Sequence, residues 1–388
     1  MIEPDEKRRP LVVMADGPNG PLPDPALVAT AAGLDNPEIL LGWVVREPPW
    51  IAGTAFPVTT FLTGPGTRAA VASGKVRSVP ARLSAMPGLL AGRLRPDAAV
   101  VGAYESASGW RIAHSPGFAR SAAAQAGKVI VERWPGEPPA GLLPLDCDVH
   151  DVIDRSDPPD PLPSAQPGPE QRRIGELVSS LIPEGATIQW GPGVIGASVI
   201  AALAVPVRVR SGLVTDELVG LDRSGLLVAP AEAAYFWGGA ALQGMVTDGR
   251  LLLRDVEATH DLTAISAIDR FVAINTALQV GLDGCANVEV AGGRVVAGAG
   301  GHPDFSAGAS RSPGGLSIVA LQSTSGGSST VVARPEVVTT PRSDVDVIVT
   351  EHGVADLRGA SPDERRDLLI GIAAPQHRDE LRATVQGR

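Results

Sequence analysis

The run Gly298–Ala309, GAGGHPDFSAGA, gathers small residues that let a backbone come within contact distance of a ligand. Its amides then turn toward developing negative charge, as in an oxyanion hole. A tight turn uses the same glycines, so the run alone leaves both readings open. A second turn, Gly191–Gly196 (GPGVIG), matches GxGxxG between an expected strand and an expected helix, the context of a dinucleotide site. Past the next strand stand Arg210, Ser211 and Gly212, where an NAD site wants a carboxylate for the ribose; Arg210 suits a 2′-phosphate instead. Pro192 has no N–H for a pyrophosphate, which makes NAD(P) the lesser reading. Glu351 and His352 follow the apolar run Val345–Val349, at a strand end where functional side chains gather. The histidines show no HxxxH or HExxH spacing, so no metal is expected. No GxSxG elbow surrounds a strand-end serine such as Ser211.

The elements that position these residues read as repeated strand and helix. Pro10–Gly17, Ile39–Val45, Val58–Leu62, Ala98–Val101 and Lys128–Glu132 are apolar runs suited to buried strands. Helical stretches lie between them: Asp24–Ala32 with an Asp cap and Pro25 in its first turn, Arg82–Leu94, and Ala119–Ala126. This alternation predicts a parallel sheet, in a first domain that closes near Ile153. Asp157–Pro169 (DPPDPLPSAQPGP) is too rich in proline for a helix or an interior strand and reads as a linker. Residues 1–156 and 170–388 are then the two domains. In the second, the pattern restarts with helix Glu170–Leu181, strand Ala186–Trp190, helix Ala197–Ala204 and strand Val205–Val209. Leu316–Leu321 (LSIVAL) is a later buried strand, and QSTSGGSS forms the loop at its carboxyl end.

A chain of 388 residues predicts two domains, and 44% hydrophobic with 20% charged residues is a globular balance. The net charge of −10 lacks the basic footprint of a nucleic-acid or anionic-membrane binder. Cys147 and Cys285 stand far apart, without CxxC spacing, which fits a reducing cytoplasm. The stretch MIEPDEKRRP has no apolar run after its basic residues, so no signal peptide is expected, and no transmembrane span is read.

From Asp344 to Leu381, DVDVIVTEHGVADLRGASPDERRDLLIGIAAPQHRDEL closely resembles the C-terminal domain of the acetyl-CoA hydrolase/transferase family, the class I CoA-transferases. The likeness extends upstream through VVTTPRSDV, GGLSIVALQST, GAGGHPDFSAGA, NTALQVGLDG and RRIGELVSSLIPEGATIQWGPGVIG, and reaches VRSVPARLSAMPGLL in the first domain. The resemblance implies two similar α/β domains with mainly parallel sheets and an active-site cleft between them. It implies a small acyl-CoA as substrate, a carboxylate such as acetate or a water as acceptor, no permanently bound cofactor, and a homodimer. Gly191, Gly193, Gly298, Gly300 and Gly301 become candidate oxyanion and CoA-binding positions, with Gly300 and Gly301 foremost. His302 would lie beside the transfer site, a candidate base for a water with Asp304 as its partner.

In such enzymes a glutamate attacks the thioester to form an acyl-glutamyl anhydride and then a glutamyl-CoA thioester. Its place follows the strand after the GxG turn, in a Ser-Glu or Thr-Glu pair, and here reads Arg210, Ser211, Gly212, Leu213. Gly212 carries no nucleophile. Leu316 stands where a lysine is common and Thr330 near a usual arginine. Glu217, with Asp216 beside it, is a candidate substitute carboxylate, although acidic residues are favoured at a helix start in any case. The expectation is a CoA-transferase or acyl-CoA hydrolase with an altered mechanism. The alternative is a silent paralogue that binds CoA esters or pairs with an active homologue.

Overall fold

The computed structural model describes residues 8–155 and 166–386, and among them the chain forms two compact α/β units. One falls within Met1–Ala81 and Ala85–Asp160 and takes Leu253–Asp255; the other falls within Arg82–Ser84, Pro161–Leu252 and Val256–Arg388. The stretch read as a linker lies mostly outside the described residues, and its last residue, Pro169, already opens a helix.

In the first unit, β1 (Leu11–Ala15), β2 (Glu38–Leu41), β3 (Val58–Thr60), β4 (Val76–Ser78), β5 (Ala98–Ser106), β7 (Lys128–Trp134) and β8 (Asp151–Asp154) lie in the order β4-β3-β2-β1-β5-β7-β8. β6 (Gly109–Ile112) folds back antiparallel on β5, while the pairs along that path are parallel. The sequence LVVMA of β1 is buried along its whole length, as a parallel strand covered on both faces requires. The helices are α1 (Pro25–Ala32), α2 (Arg68–Ala72), α3 (Met86–Ala91) and α4 (Ala119–Gln125). Asp24 caps α1 as expected, its Oδ1 accepting from Ala26 N at 2.8 Å. The helix expected over Arg82–Leu94 is shorter: a 3-10 turn at Leu83–Ala85 precedes α3, and Arg82–Ser84 belongs to the second unit.

The second unit opens with α5 (Pro169–Ser179), β9 (Thr187–Trp190), α6 (Val194–Ala202), β10 (Arg208–Val214), α7 (Glu217–Arg223), β11 (Ala231–Phe236), α8 (Ala240–Thr247) and β12 (Leu251–Leu253). Two short helices, α9 (Val256–Thr259) and α10 (Leu262–Ser266), lead to β13 (Phe271–Thr276). Small pairings follow: β14 (Gln279–Gly281) with β15 (Ala286–Asn287), and the hairpin β16 (Val290–Ala291) and β17 (Arg294–Val295). After α11 (His302–Ala309) come β18 (Leu316–Ala320), hairpin β19 (Thr324–Ser325) and β20 (Ser328–Ser329), and β21 (Val331–Val332) on β14. β22 (Val347–Thr350), β23 (Gly353–Asp356), α12 (Pro362–Ile372) and α13 (Arg378–Gln386) complete the unit.

The large sheet of this unit has the order β12-β11-β10-β9-β13-β18-β22-β23. The chain therefore steps outward from β9 to one edge, returns to β13 and steps outward to the other. The order reverses between β9 and β13, and at such a switch point a crevice opens beyond the carboxyl ends of the strands. Two α/β units, each with a mainly parallel sheet, are present, as the sequence predicts.

Two local readings are corrected. The strand expected at Val205–Val209 is β10, Arg208–Val214, so Gly212 lies inside a strand rather than in the loop after one. The run Gly298–Ala309 is a loop only to Gly301; from His302 it is α11. Pro303 suits the first turn of a helix, and Phe305 and Ala309, one turn apart, bury against Ile265, Phe271 and Ala273. That apolar contact outweighs the low helix propensity of glycine, proline and serine.

Candidate active site

The site grows from the carboxyl ends of β9, β10 and β13. Arg208 pairs with Thr187 and Ala273 with Gln189 across these parallel strands. Continuing that register places Gln189, Arg210, Gly212 and Asn275 on one face of the sheet. Gln189 and Asn275 are buried, with Gln189 Nε2 donating to Asn275 Oδ1 at 3.3 Å. Gln189 Oε1 and Asn275 Nδ2 have no hydrogen-bond partner. Arg210 reaches Glu232 at 3.4 Å and donates to the Ala258 carbonyl. The residue suited by sequence to a 2′-phosphate is thus already paired.

Between α9 and α10 stands His260, wholly buried. Its Nδ1 lies 2.8 Å from Thr259 Oγ1, and its Nε2 has no partner. Burial, with the Arg210 guanidinium beside it, holds this imidazole down at about 3, so the ring is neutral. Phe305 of α11 packs on it at 4.8 Å between centroids and stacks in turn on Phe271 at 6.2 Å. A Cβ on Gly212 would lie 3.0 Å from His260 Nε2, and one on Gly301 would lie 2.5 Å from it. One imidazole thus brings together two residues that the sequence reading placed at the transfer site.

The other candidate glycines divide. Gly191 gives its amide to the Ile274 carbonyl at 3.0 Å, so that N–H serves the sheet. Gly193 is exposed, has φ +121° and precedes α6, with open space where a side chain would stand. Gly298 and Gly300 are half-buried; Gly300 has φ +57°, and its carbonyl accepts from Leu83 N at 3.0 Å.

His302 and Asp304 do not meet as the pair expected of them. His302 Nδ1 lies 2.7 Å from Thr340 Oγ1, and burial lowers its pKa to about 4. Asp304 accepts from Ser84 Oγ at 2.6 Å and Ser84 N at 3.1 Å, with Arg82 at 3.6 Å. Burial raises its pKa to about 6. Residues two apart on a helix point to different sides, and α11 separates them for that reason.

Asp216 and Glu217 begin α7. Asp216 accepts from Gly239 N at 2.9 Å, and Glu217 bonds Thr215 Oγ1. Both carboxylates are held in local turns. Glu351, at the end of β22, accepts from Ser323 N at 2.9 Å and lies 3.6 Å from His352 Nε2. Leu316 and Thr330 are both buried, Thr330 Oγ1 donating to the Gln322 carbonyl.

The sequence reading missed His260, Gln189 and Asn275 as members of the site. Gln189 and Asn275 carried a signal, since each is a lone amide at the end of an apolar parallel strand, TIQW and FVAIN. His260 carried none, being one histidine in a short helical connection.

Residues 243–385 match the acetyl-CoA hydrolase/transferase C-terminal domain. The chain is 31% identical over 250 residues to 4-hydroxybutyrate coenzyme A transferase of Clostridium kluyveri, covering 60% of this chain and 58% of that one. It thus spans little more than half the length of that relative. To succinyl-CoA:cyclohexane-1-carboxylate CoA transferase of Geobacter metallireducens it is 30% identical over 347 residues, covering 84% of this chain and 79% of the other. The crystal structure of RipA from Yersinia pestis superposes with a TM-score of 0.85 at 25% identity, covering 98% of this chain and 94% of that one. With a glycine-lined switch point in a parallel sheet and a relative matched over most of both sequences, the chain belongs to the acetyl-CoA hydrolase/transferase family of CoA-transferases.

Proposed function

We propose that the protein is an acyl-CoA enzyme, a CoA-transferase or acyl-CoA hydrolase acting on a small acyl-CoA thioester in the cytoplasm. The observation that carries this is the convergence of Gly212 and Gly301 on one buried imidazole beside the β9/β13 switch point, within a chain of this family. Gly212 takes the position that the family resemblance gives to the attacking glutamate, so no protein carboxylate is available there to form an anhydride. Hydrolysis then runs by direct attack of water. The water oxygen adds to the thioester carbonyl, backbone amides at Gly300 and Gly301 hold the oxyanion, the C–S bond breaks, and CoA leaves as thiolate while the water's proton passes to solvent.

A second reading is a silent paralogue that binds CoA esters, as a homodimer or with an active homologue. Gly212 itself favours it, as does the engagement of Asp216 and Glu217 in local hydrogen bonds. We take residues 1–156 and 170–388 as the two domains and 157–169 as their linker. Among the described residues no helix is long and apolar enough to cross a membrane.

The test is to incubate the protein with short acyl-CoAs, with and without acetate, and follow free CoA, new thioesters and intact protein mass. Free CoA without an adduct supports the hydrolase. Stabilisation against heat by acyl-CoA without turnover supports the silent binder. A new thioester together with a protein adduct of CoA mass overturns the loss of the carboxylate route, and neither turnover nor stabilisation overturns both readings.

A further inference from the structure

Neither Gly212 nor Gly301 has a positive φ, so alanine fits the backbone at both. What crowds a side chain at either position is chiefly His260, with Phe305 behind it. A Cβ at 212 would stand 3.0 Å from its Nε2 and 3.2 Å from Phe305 Cε2; a Cβ at 301 would stand 2.5 Å and 3.0 Å from the same two atoms. The ring has nowhere to retreat, being wholly buried, tied through Nδ1 to Thr259 and backed by Phe305, itself stacked on Phe271. A buried ring nitrogen without a partner is costly, and that cost is borne here at the centre of the site.

We propose that His260 sets the chemistry at position 212: its ring occupies the space into which a side chain at 212 would project, and so keeps a protein carboxylate out of the acyl-CoA site. This rests on the acyl-CoA reading above. His260 acts as a positioning residue that decides which group faces the thioester. Restoring a glutamate at 212 therefore requires removing the ring, and the exchange nearly conserves volume, since a glutamate side chain brings as many heavy atoms as an imidazole ring takes away.

Two measurements test this. The first is thermal unfolding of G212A and G301A in the native background and with H260A. Glycine to alanine at a compatible backbone ordinarily stabilises. Here each is expected to lower Tm by roughly 3–8 °C while His260 is present, and to be neutral or stabilising once it is gone. Equal shifts in both backgrounds overturn the proposal. H260N, which is smaller and keeps a partner for Thr259, repeats the cycle if H260A does not fold.

The second is intact mass after incubation with acetyl-CoA. In G212E/H260A the carboxylate attacks the thioester carbonyl, the C–S bond breaks and CoA thiolate leaves. The thiolate then attacks the glutamyl carbonyl of the anhydride and acetate departs, leaving a glutamyl-CoA thioester. An adduct of CoA mass is expected in the double variant and absent from G212E alone. An adduct in G212E alone, or none in a folded double variant, overturns the role given to His260. A native protein that acyl-CoA fails to stabilise overturns the acyl-CoA reading instead, and leaves the unfolding cycle to judge the packing.

Discussion

His302 Nδ1 and Thr340 Oγ1 lie 2.7 Å apart in the interior of the second unit, a buried hydrogen bond between α11 and the loop before β22. The pair gives His302 a structural partner, and burial keeps the ring neutral.

Acid sensitivity follows from that neutrality. His114, His260 and His302 have folded values of about 4, about 3 and about 4, against 6.5 unfolded, all chiefly through burial. A depressed folded pKa means that the unfolded chain binds the proton first. Their stabilisation is present above pH 6.5 and is lost as pH falls through the folded values, on the order of 3 kcal/mol for His114 and His302 and about 5 kcal/mol for His260 from the size of the shifts. Urea midpoints are expected to fall steadily from pH 7 to pH 4, and His302→Gln to flatten the curve. A His302→Gln curve parallel to the native one would remove His302 from this account.

Asp304 has the opposite sign. Its carboxyl is raised by burial to about 6 from 3.8, so the folded state holds the proton more tightly. Its contribution is present below pH 4 and is lost as pH rises through 6, on the order of 3 kcal/mol in all. Asp304→Asn retains an oxygen for Ser84 and removes the titration. Relative to the native protein, the variant is expected to gain stability between pH 4 and pH 7; a constant difference across that range would show that Asp304 does not titrate there.

Gly175 sits in α5, where alanine is the better helix former by about 1 kcal/mol. A Cβ there would stand 2.5 Å from the Ser198 carbonyl oxygen of α6. Backbone cannot yield as a side chain can, so Gly175→Ala is expected to cost roughly 2 kcal/mol in spite of its propensity. Chemical denaturation measures it, and a stabilised variant would mean that α5 and α6 move apart freely.

The buried strands were legible because a parallel sheet covered on both faces demands unbroken apolar runs, as LVVMA and LSIVA show. β10 is hard to read because Arg208, Arg210 and Gly212 break its apolar pattern; Arg208 finds the Gly185 carbonyl, and Arg210 finds Glu232 and the Ala258 carbonyl, partners that the sequence does not display. α11 was misread because its glycines, proline and serine favour a loop locally, while the contact that forms the helix lies in Phe271 and Ala273, far along the chain. The glycines at 212 and 301 were visible in sequence. What they accommodate was not, since His260 reaches them through tertiary packing alone.

Arg82–Ser84 belongs to the second unit although its neighbours on both sides belong to the first, and Ser84 meets a carboxylate 220 residues later. During synthesis that short segment leaves the ribosome long before Asp304 exists to receive it. The second unit therefore finishes folding only after most of the protein has been made. No single proteolytic cut between Ala85 and Gly301 releases it whole, and a fragment beginning after residue 166 is born with a buried carboxyl deprived of its donors.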